Sequence, residues 1–271
     1  MTASTSLPDF LVQTYDHMVP VPFTPPPLSP APHGLYGATQ WVPETGPTRW
    51  LDAGVQIRPA GNYGGAESFG VWNAGWCASL DDLTPEDRKI GLRPEVPEPF
   101  DAMTVWGADG CDLTEPSRAE VETRAAQVFR LEEHNAVERQ FAARLLTDAV
   151  APAEANDIVA AVSALEIALG RTNTLGFIHA SSGWAARAAQ ANLLIRAGAG
   201  YITPLGHRWV FGGGYIDGLT DTLVATSQPY GWRSEVQLRT AVDQHVNTFI
   251  AIAERSVVVG YERLLGAVEI G

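Results

Sequence analysis

The longest periodic pattern of apolar and polar positions in the chain is helical and covers residues 114–149. This stretch contains no glycine, and its only proline, Pro116, lies in the first turn, where a helix tolerates a missing N–H group. A helix of this length spans about 50 Å at 1.5 Å per residue. Apolar side chains recur at roughly helical spacing at Val121, Ala125, Val128, Leu131, Phe141 and Leu145. Because this apolar stripe is thin, the pattern predicts a spine contacted by several small elements or by neighbouring subunits.

After the long helix, shorter apolar segments alternate between helical and strand-like patterns. Residues 156–169 have the pattern of an apolar helix, and residues 174–180 that of a short buried strand. Ser181 or Ser182 can cap a further helix that runs to about Ala197. The remaining strand-like segments are 201–203, 208–211, 222–226, 230–238, 248–253, 257–261 and 264–270. We therefore predict a mixed α/β lobe, followed by closing strands that return to the long helix to bury their apolar faces.

The residues before the long helix lack helical periodicity and are rich in proline, glycine and aromatic side chains. Prolines between 19 and 32 fix an extended backbone, and the apolar residues around them predict an arm that lies along another surface. Two strand-like runs, 55–59 and 67–72, flank a glycine-rich turn at 61–65, which predicts a hairpin. Residues 80–100 are charged and proline-rich, so we expect a loop there and no independent core in this region.

Composition and charge exclude several classes of function. The net charge of −13 argues against a protein that grips a nucleic-acid backbone, which requires clustered basic residues. Lys89 is the only lysine and stands between Arg88 and Ile90, so the chain contains no phosphate-binding P-loop. The apolar runs are too short to span a bilayer and the start shows no secretory signal, so we expect no membrane partner. Cys77 and Cys111 have no metal-binding spacing and are interpreted as reduced cytosolic thiols.

One acidic cluster on the long helix invites a metal-binding interpretation. Glu132, Glu133, His134 and Glu138 lie close together in sequence, and His134 and Glu138 share a helix face. A di-iron site would require glutamate three residues before the histidine, where Leu131 stands. A charged face that contacts solvent or a neighbouring subunit is therefore the better interpretation.

The remaining candidate groups do not form a recognisable catalytic site. His179, Ser181 and Ser182 follow a strand but lack the G-x-S-x-G pattern of a nucleophile turn, so we expect the serines to cap a helix. The glycines at 212–214 lack the strand, glycine-rich loop and helix order of a dinucleotide site and predict a tight loop. The sequence thus predicts no catalytic, cofactor-binding or metal-binding residues. A small-molecule enzyme with an α/β core is the least favoured alternative.

Six segments, in order along the chain, carry a resemblance to a known family. They are VWGADGC (105–111), RLEEHNAVERQF (130–141), GFIHASSGWAAR (176–187), YITPLGHRWVFGGGY (201–215), LVATSQPYGWRSEV (223–236) and AIAERSVVVGYERLLGAVEI (251–270). Over about residues 70–271 the chain resembles the HK97-type major capsid proteins of tailed actinobacterial phages. The resemblance implies an α+β, HK97-like coat fold. Its expected parts are an extended N-arm (1–40), an E-loop region (41–108), a P-domain spine helix (109–152), a mixed α/β A-domain (153–240) and closing P-domain strands (241–271).

The resemblance also implies a function without catalysis. It predicts the structural subunit of an icosahedral phage head, which self-assembles into pentamers and hexamers and encloses the genome without binding DNA tightly. Expected partners are other copies of the chain, with separate scaffolding, portal and decoration proteins as further candidates. The expected location is the virion capsid, assembled in the host cytoplasm. An encapsulin-type nanocompartment shell protein of the same fold is the alternative, and the long proline-rich arm favours the phage coat.

In this family an E-loop reaches over an adjacent subunit, which implies where neighbouring copies meet. The side chains expected to anchor the loop on a neighbour are Trp50, Ile57, Phe69 and Trp72. The charged residues expected to take part on the spine helix are Arg130, Glu132, Glu133 and Arg139.

Overall fold

The computed structural model describes residues 21, 23–43, 48–64, 68–87 and 89–271 of the chain. The first 20 residues of the predicted arm and Gly65 of the predicted hairpin turn lie outside the described residues. The helices are α1 (Leu35–Ala38), α2 (Trp50–Ala53), α3 (Glu115–Ala149), α4 (Ile158–Thr172), α5 (Trp184–Gln190) and α6 (Tyr215–Gly218). Two short 3₁₀ turns cover Leu80–Asp82 and Pro85–Asp87.

Twelve strands within the described residues form two sheets. They are β1 (Gln40–Trp41), β2 (Met103–Cys111), β3 (Ala153–Ala155), β4 (Phe177–Ser181), β5 (Ile195–Ala197), β6 (Gly200–Ile202), β7 (Arg208–Gly212), β8 (Thr222–Thr226), β9 (Pro229–Arg233), β10 (Gln237–Asp243), β11 (Thr248–Tyr261) and β12 (Leu264–Ile270).

The helix predicted over 114–149 is confirmed as α3, 35 residues long. It begins after the extended Thr114, with Pro116 in the first turn, as the sequence predicts. The buried side chains come from several directions around the helix: Val121, Ala125, Phe129, Glu133, Val137, Glu138, Phe141, Ala142 and Leu145. Two of them are carboxylates, so the helix buries charge as well as apolar surface. It acts as a spine against which both sheets and the arm pack.

The five-stranded sheet is organised around β11, a single strand of 14 residues. It pairs with β10 and β2 in its first part and with β9 in its last part, all antiparallel. The sequence predicted two strands here, 248–253 and 257–261, and that prediction is wrong. Glu254 and Ser256 continue the ladder because they stay in register with Trp106 and Thr104 of β2.

The seven-stranded sheet has the strand order β3-β12-β8-β4-β7-β6-β5. Its centre combines a parallel pair, β4 with β7, and antiparallel pairs of β8 with β4 and β12. The last strand of the chain therefore belongs to this sheet, whereas β9 and β10 pair with β11 in the other one. The division between the sheets therefore does not follow the order of the strands along the chain.

Two local predictions are corrected by backbone hydrogen bonds. The helix expected from Ser181 or Ser182 to Ala197 is only α5, and no serine side chain caps it. It stops because Asn192 adopts a positive φ of 58° and residues 195–197 pair with β6 around Gly198. The hairpin expected over 55–72 is also wrong within the described residues, since Val55 exchanges both backbone hydrogen bonds with Phe100 instead.

Three hydrophobic clusters stabilise the chain. The first joins α3 to both sheets and includes side chains of the arm, among them Leu35 and Tyr36. The second lies between α4, α5 and the seven-stranded sheet. The third is small and packs Val121 and Ala125 of α3 on Phe249 and Ala251 of β11. Within the described residues from 51 to 99, no side chain is buried, so this excursion has no core of its own, as expected.

Candidate assembly surfaces

The described residues 68–87 and 89–92, which we call the exposed loop, place large apolar side chains in solvent. Phe69 is 82% exposed, Val71 is 81% exposed and Trp76 is fully exposed. The internal contacts of the loop are few and mostly polar. Ser68 Oγ donates to the Leu92 carbonyl at 2.8 Å, and Lys89 Nζ lies 4.7 Å from the centre of the Trp72 ring. Water-exposed aromatic side chains on this scale indicate a contact surface for another molecule.

The base of the excursion, in contrast, is held firmly by the body of the same chain. The Glu262 carboxylate accepts hydrogen bonds from the Ala60 N–H at 2.7 Å and the Asn62 side-chain amide at 2.8 Å. Gly61 and Gly64 both have positive φ, 79° and 69°, which glycine adopts without a steric penalty. The described start of the turn predicted at 61–65 is therefore fastened next to the β11–β12 connection.

Arg144 of the spine helix fixes the returning end of the excursion. Its guanidinium donates to the Pro99 carbonyl at 2.8 Å and lies 4.3 Å from the centre of the Phe100 ring. It also pairs with Asp148 at 2.8 Å, and Asp148 accepts a 2.6 Å hydrogen bond from the Tyr261 hydroxyl. Burial, reinforced by the Asp148 carboxylate, raises the pKa of Tyr261, so the hydroxyl stays protonated and remains a donor. The exposed loop thus extends from a rigid base.

The end of the arm is bound to the spine helix through a buried carboxylate, Glu138. Its two oxygens accept the N–H groups of Leu35 at 2.8 Å and Gly214 at 2.9 Å. Burial raises the pKa of Glu138, while these N–H groups oppose that rise. A Cβ at Gly212 would lie 2.7 Å from the Glu138 side chain, and one at Gly214 would lie 2.2 Å from the Asn135 carbonyl. The tight glycine loop predicted at 212–214 lets the backbone approach the helix this closely.

A second buried carboxylate, Glu133, binds both the arm and the five-stranded sheet. It accepts a 2.7 Å hydrogen bond from the Tyr36 hydroxyl and a two-pronged contact from Arg255 of β11, 2.5 and 2.6 Å long. The Tyr36 ring stacks on the His134 imidazole with 4.0 Å between ring centres. Since Glu133 is only 2% exposed, its charge depends on Arg255 for compensation.

The residues predicted to form the subunit interface separate into two groups. Phe69, Trp72, Arg130, Glu132 and Arg139 are exposed, and Ile57 is half-buried against the first hydrophobic cluster. Two predictions need correction, because Trp50 and Glu133 lie inside the chain. Trp50 is 5% exposed and packs in the first cluster. The Glu133 carboxylate already accepts hydrogen bonds from the Tyr36 hydroxyl and the Arg255 guanidinium.

The groups with potential for catalysis are used in packing. His179 is completely buried, with 3.0 Å between its Nδ1 and the Tyr215 hydroxyl and 2.8 Å between its Nε2 and the Thr226 hydroxyl. Burial lowers the pKa of His179 to about 3, so the imidazole is neutral. Among the described residues no cluster of three or more His, Cys, Asp or Glu side chains has the arrangement of a metal site. The described helices include none with the length and apolar character needed to cross a membrane.

Sequence reasoning missed Arg144, Glu138 and Arg255 as connecting residues. The partners of two of them lie far away in sequence: Glu138 is 103 residues from Leu35, and Arg255 is 122 residues from Glu133. For Glu138 the available signal was weak, because it was only a charged residue at a position where the helical pattern expects an apolar one. It does not identify the partner.

No protein-family model matches the sequence, and no curated protein matches it. Among solved structures, that of Microbacterium phage Oxtober96 is similar, with a TM-score of 0.54, 10% identity, and coverage of 95% of this chain and 96% of that one. The capsid of Ralstonia phage GP4 has a TM-score of 0.47, 8% identity and coverage of 99% and 96%. A virus-like particle from Pyrococcus furiosus has a TM-score of 0.41, 9% identity and coverage of 64% and 77%.

Of these three similarities, the one to the Microbacterium phage structure is close enough to show a shared fold. It extends over nearly the whole of both chains. The predicted α+β, HK97-like coat fold is thereby confirmed.

Proposed function

We propose that this chain is the structural subunit of an icosahedral phage head, a major capsid protein that assembles with copies of itself into pentamers and hexamers around the genome. The shared fold supports this by analogy, since folds alone do not determine functions. The observation that carries the proposal is the exposed loop. Its aromatic and aliphatic side chains have no core within their own chain, and a neighbouring copy supplies the missing partner.

The energetic reason is the area of apolar surface involved. Burying one exposed aromatic side chain is worth about 1.5–3 kcal/mol from area alone. Phe69, Val71, Trp72 and Trp76 lie within eight residues of one another, and every subunit of a shell would repeat the contact. Because the base of the excursion is fixed by Arg144 and Glu262, the loop is presented in one direction, which lowers the entropy lost on binding.

The interface in this proposal joins the exposed loop of one copy to polar groups on the spine helix of another. Arg130, Glu132 and Arg139 remain exposed on α3, and Arg130 also donates to the Ser29 hydroxyl of the arm at 2.8 Å. Individually such surface charges contribute about 0–1 kcal/mol, so they set register more than affinity. Phe69 and Trp72 supply the apolar part. Trp50 and Glu133 are not included, since each is buried within its own chain.

The remaining parts of the proposal concern partners and location. The chain acts without catalysis, in the virion capsid, after assembly in the host cytoplasm. A net charge of −13 on each subunit repels DNA phosphates, which fits a container that holds a genome without immobilising it. Separate scaffolding, portal and decoration proteins are further candidate partners of such a shell.

The test is to produce the chain alone and together with candidate scaffolding proteins, and to examine the product by sedimentation and negative-stain electron microscopy. We expect closed particles of uniform size that sediment far ahead of a monomer. A product that stays monomeric under all these conditions and unfolds as one compact domain would overturn the proposal.

A further inference from the structure

The outer edge of β10 is a long, open sheet edge. β10 pairs with β11 through seven consecutive residues without a register shift, and no other strand in the described part of the chain pairs with it. Six of its seven residues are exposed, and Asp243 is half-buried. The outward N–H and C=O groups of such a strand are a template for another strand.

The edge strand β1 of the same sheet is protected in a way that β10 is not, because it is only two residues long and short edge strands pair poorly. β10 contains no proline, no lysine and no bulge, three of the devices that prevent edge pairing, and its charged residues are Arg239 and Asp243. This edge is therefore open to pairing with another strand.

The side chains of β10 continue an apolar surface that the chain leaves incomplete. Leu238 and Val242 are each 47% exposed, and they face the same side of the sheet as Ala253 and Phe249, their partners on β11. That side is the one covered by the spine helix, where Phe249 is buried against Val121. The half-exposed residues lie at the margin of this packed layer, and a neighbouring strand would complete it.

We propose that two copies of this chain pair their β10 strands antiparallel about a two-fold axis at Thr240, which joins their five-stranded sheets into one. A second copy of the chain suits this edge because the sequence of the strand, Gln-Leu-Arg-Thr-Ala-Val-Asp, is self-complementary in this register. Thr240 faces Thr240 of the second copy and Leu238 faces Val242, so hydroxyl meets hydroxyl and apolar meets apolar. Cross-strand pairs of both kinds stabilise antiparallel sheets.

The charges on β10 permit this arrangement. Arg239 forms an ion pair with Glu254 of its own chain at 2.9 Å, which compensates its positive charge before a second copy approaches. Directly across the pair, Arg239 faces Ala241 and not another charge. A single pair of seven-residue strands buries less than a stable dimer interface requires, so the contact depends on the other contacts of a shell. The inference thus rests on the proposed function and adds to it a contact between copies.

The test is disulfide cross-linking in a chain whose two exposed cysteines, Cys77 and Cys111, are replaced by serine. In the proposed register two Thr240→Cys residues lie directly opposite each other, with Cα atoms about 4.5–5.5 Å apart, within disulfide range. Two Leu238→Cys residues are offset by four positions, or about 13 Å along the strands, and cannot be bridged. Positions 77, 111, 238 and 240 are all exposed, as is position 242 used below, so folding should be preserved.

Under a mild oxidant, particles of the Thr240→Cys chain should yield at least about ten times more covalent dimer than particles of the Leu238→Cys chain. Mixed particles of Leu238→Cys and Val242→Cys chains should cross-link between the two variants. Absence of the Thr240→Cys dimer, or equal dimer at both positions, would overturn the pairing. In a parallel sample that retains the native cysteines, a bond from position 240 to Cys77 would instead assign the edge to the exposed loop of another copy, and would also overturn it.

These results separate this inference from the proposed function. If particles form without the 240–240 bond, the proposed function stands and the inferred strand pairing is overturned. If no particles form, the proposed function fails, and the strand pairing, which depends on the other contacts of a shell, fails with it.

Discussion

The exposed loop and the seven-stranded sheet contain similar kinds of apolar side chains but use them in opposite ways. In the sheet, Ile178, Leu223 and Val210 are completely buried. In the loop, Phe69, Val71 and Trp76 are exposed.

The difference comes from spacing and not from hydrophobicity. Strands β4, β7 and β8 place consecutive apolar runs between the spine helix on one side and α4 and α5 on the other, so both faces are covered. The loop is interrupted by glycine and proline, and its described residues form two 3₁₀ turns and no strand. Apolar residues thus form a core where periodic structure aligns them, and they remain available to a partner where it does not. Three changes can break or sharpen this comparison.

The largest effect is expected in the body, at the buried ion pair of Glu133 and Arg255. Arg255→Met leaves the Glu133 carboxylate buried without its compensating charge, which should lower the free energy of unfolding by about 3–5 kcal/mol. Urea unfolding of the unassembled chain measures this. The matched control is Arg239→Met, which breaks an exposed pair on the same strand ladder and should cost no more than about 1 kcal/mol. Equal losses in both variants would show that the buried Glu133–Arg255 pair contributes no more to stability than the exposed Arg239–Glu254 pair.

A medium, pH-dependent effect is expected at His179. Its pKa is about 3 in the folded chain and near 6.5 in the unfolded chain, so below pH 6.5 only the unfolded chain takes up the proton. The contribution of His179 to the free energy of unfolding is therefore fully present above about pH 6.5. It falls by about 1.4 kcal/mol per pH unit as the pH decreases towards 3.

The measurement is the free energy of unfolding of the parent chain and of His179→Gln between pH 7 and pH 5. The glutamine side chain keeps a donor and an acceptor but cannot be protonated. The free energy of unfolding of the variant should therefore rise relative to that of the parent as the pH falls. Other titrating groups are present in both chains and cancel in the difference. A constant difference across this range would contradict the neutral, buried state of His179.

The smallest effect on the single chain is expected in the loop, at Trp76. Trp76→Ser removes a side chain that contacts solvent, so the free energy of unfolding of the unassembled chain should change by no more than about 0.5 kcal/mol. The yield or thermal stability of particles should nevertheless fall, because the substitution removes an anchor from every subunit contact. Trp76→Phe retains a large aromatic group and should assemble normally. A loss of several kcal/mol in the unassembled chain would place Trp76 in an intrachain core.

The sequence by itself determined the elements that depend on local periodicity. The bounds of α3 follow from a glycine-free helical pattern with proline in its first turn, and β8 and β12 follow from short apolar runs. The lack of an independent core over the described residues from 51 to 99 also followed from composition, since residues 80–100 are charged and rich in proline. The coat fold was implied by the resemblance of six ordered segments to a known family.

Tertiary structure decided whatever depends on a distant partner. The sequence of β11 reads as two strands, and only the unbroken ladder with β2 makes it one. Trp50 reads as an exposed anchor, yet in the folded chain it is buried in the first cluster. Glu133 and Glu138 read as a charged surface, yet Arg255 and the N–H groups of Leu35 and Gly214 make their burial possible. Helical and strand periodicity depends on neighbouring residues, whereas the groups that stabilise these buried carboxylates include some more than a hundred residues away in sequence.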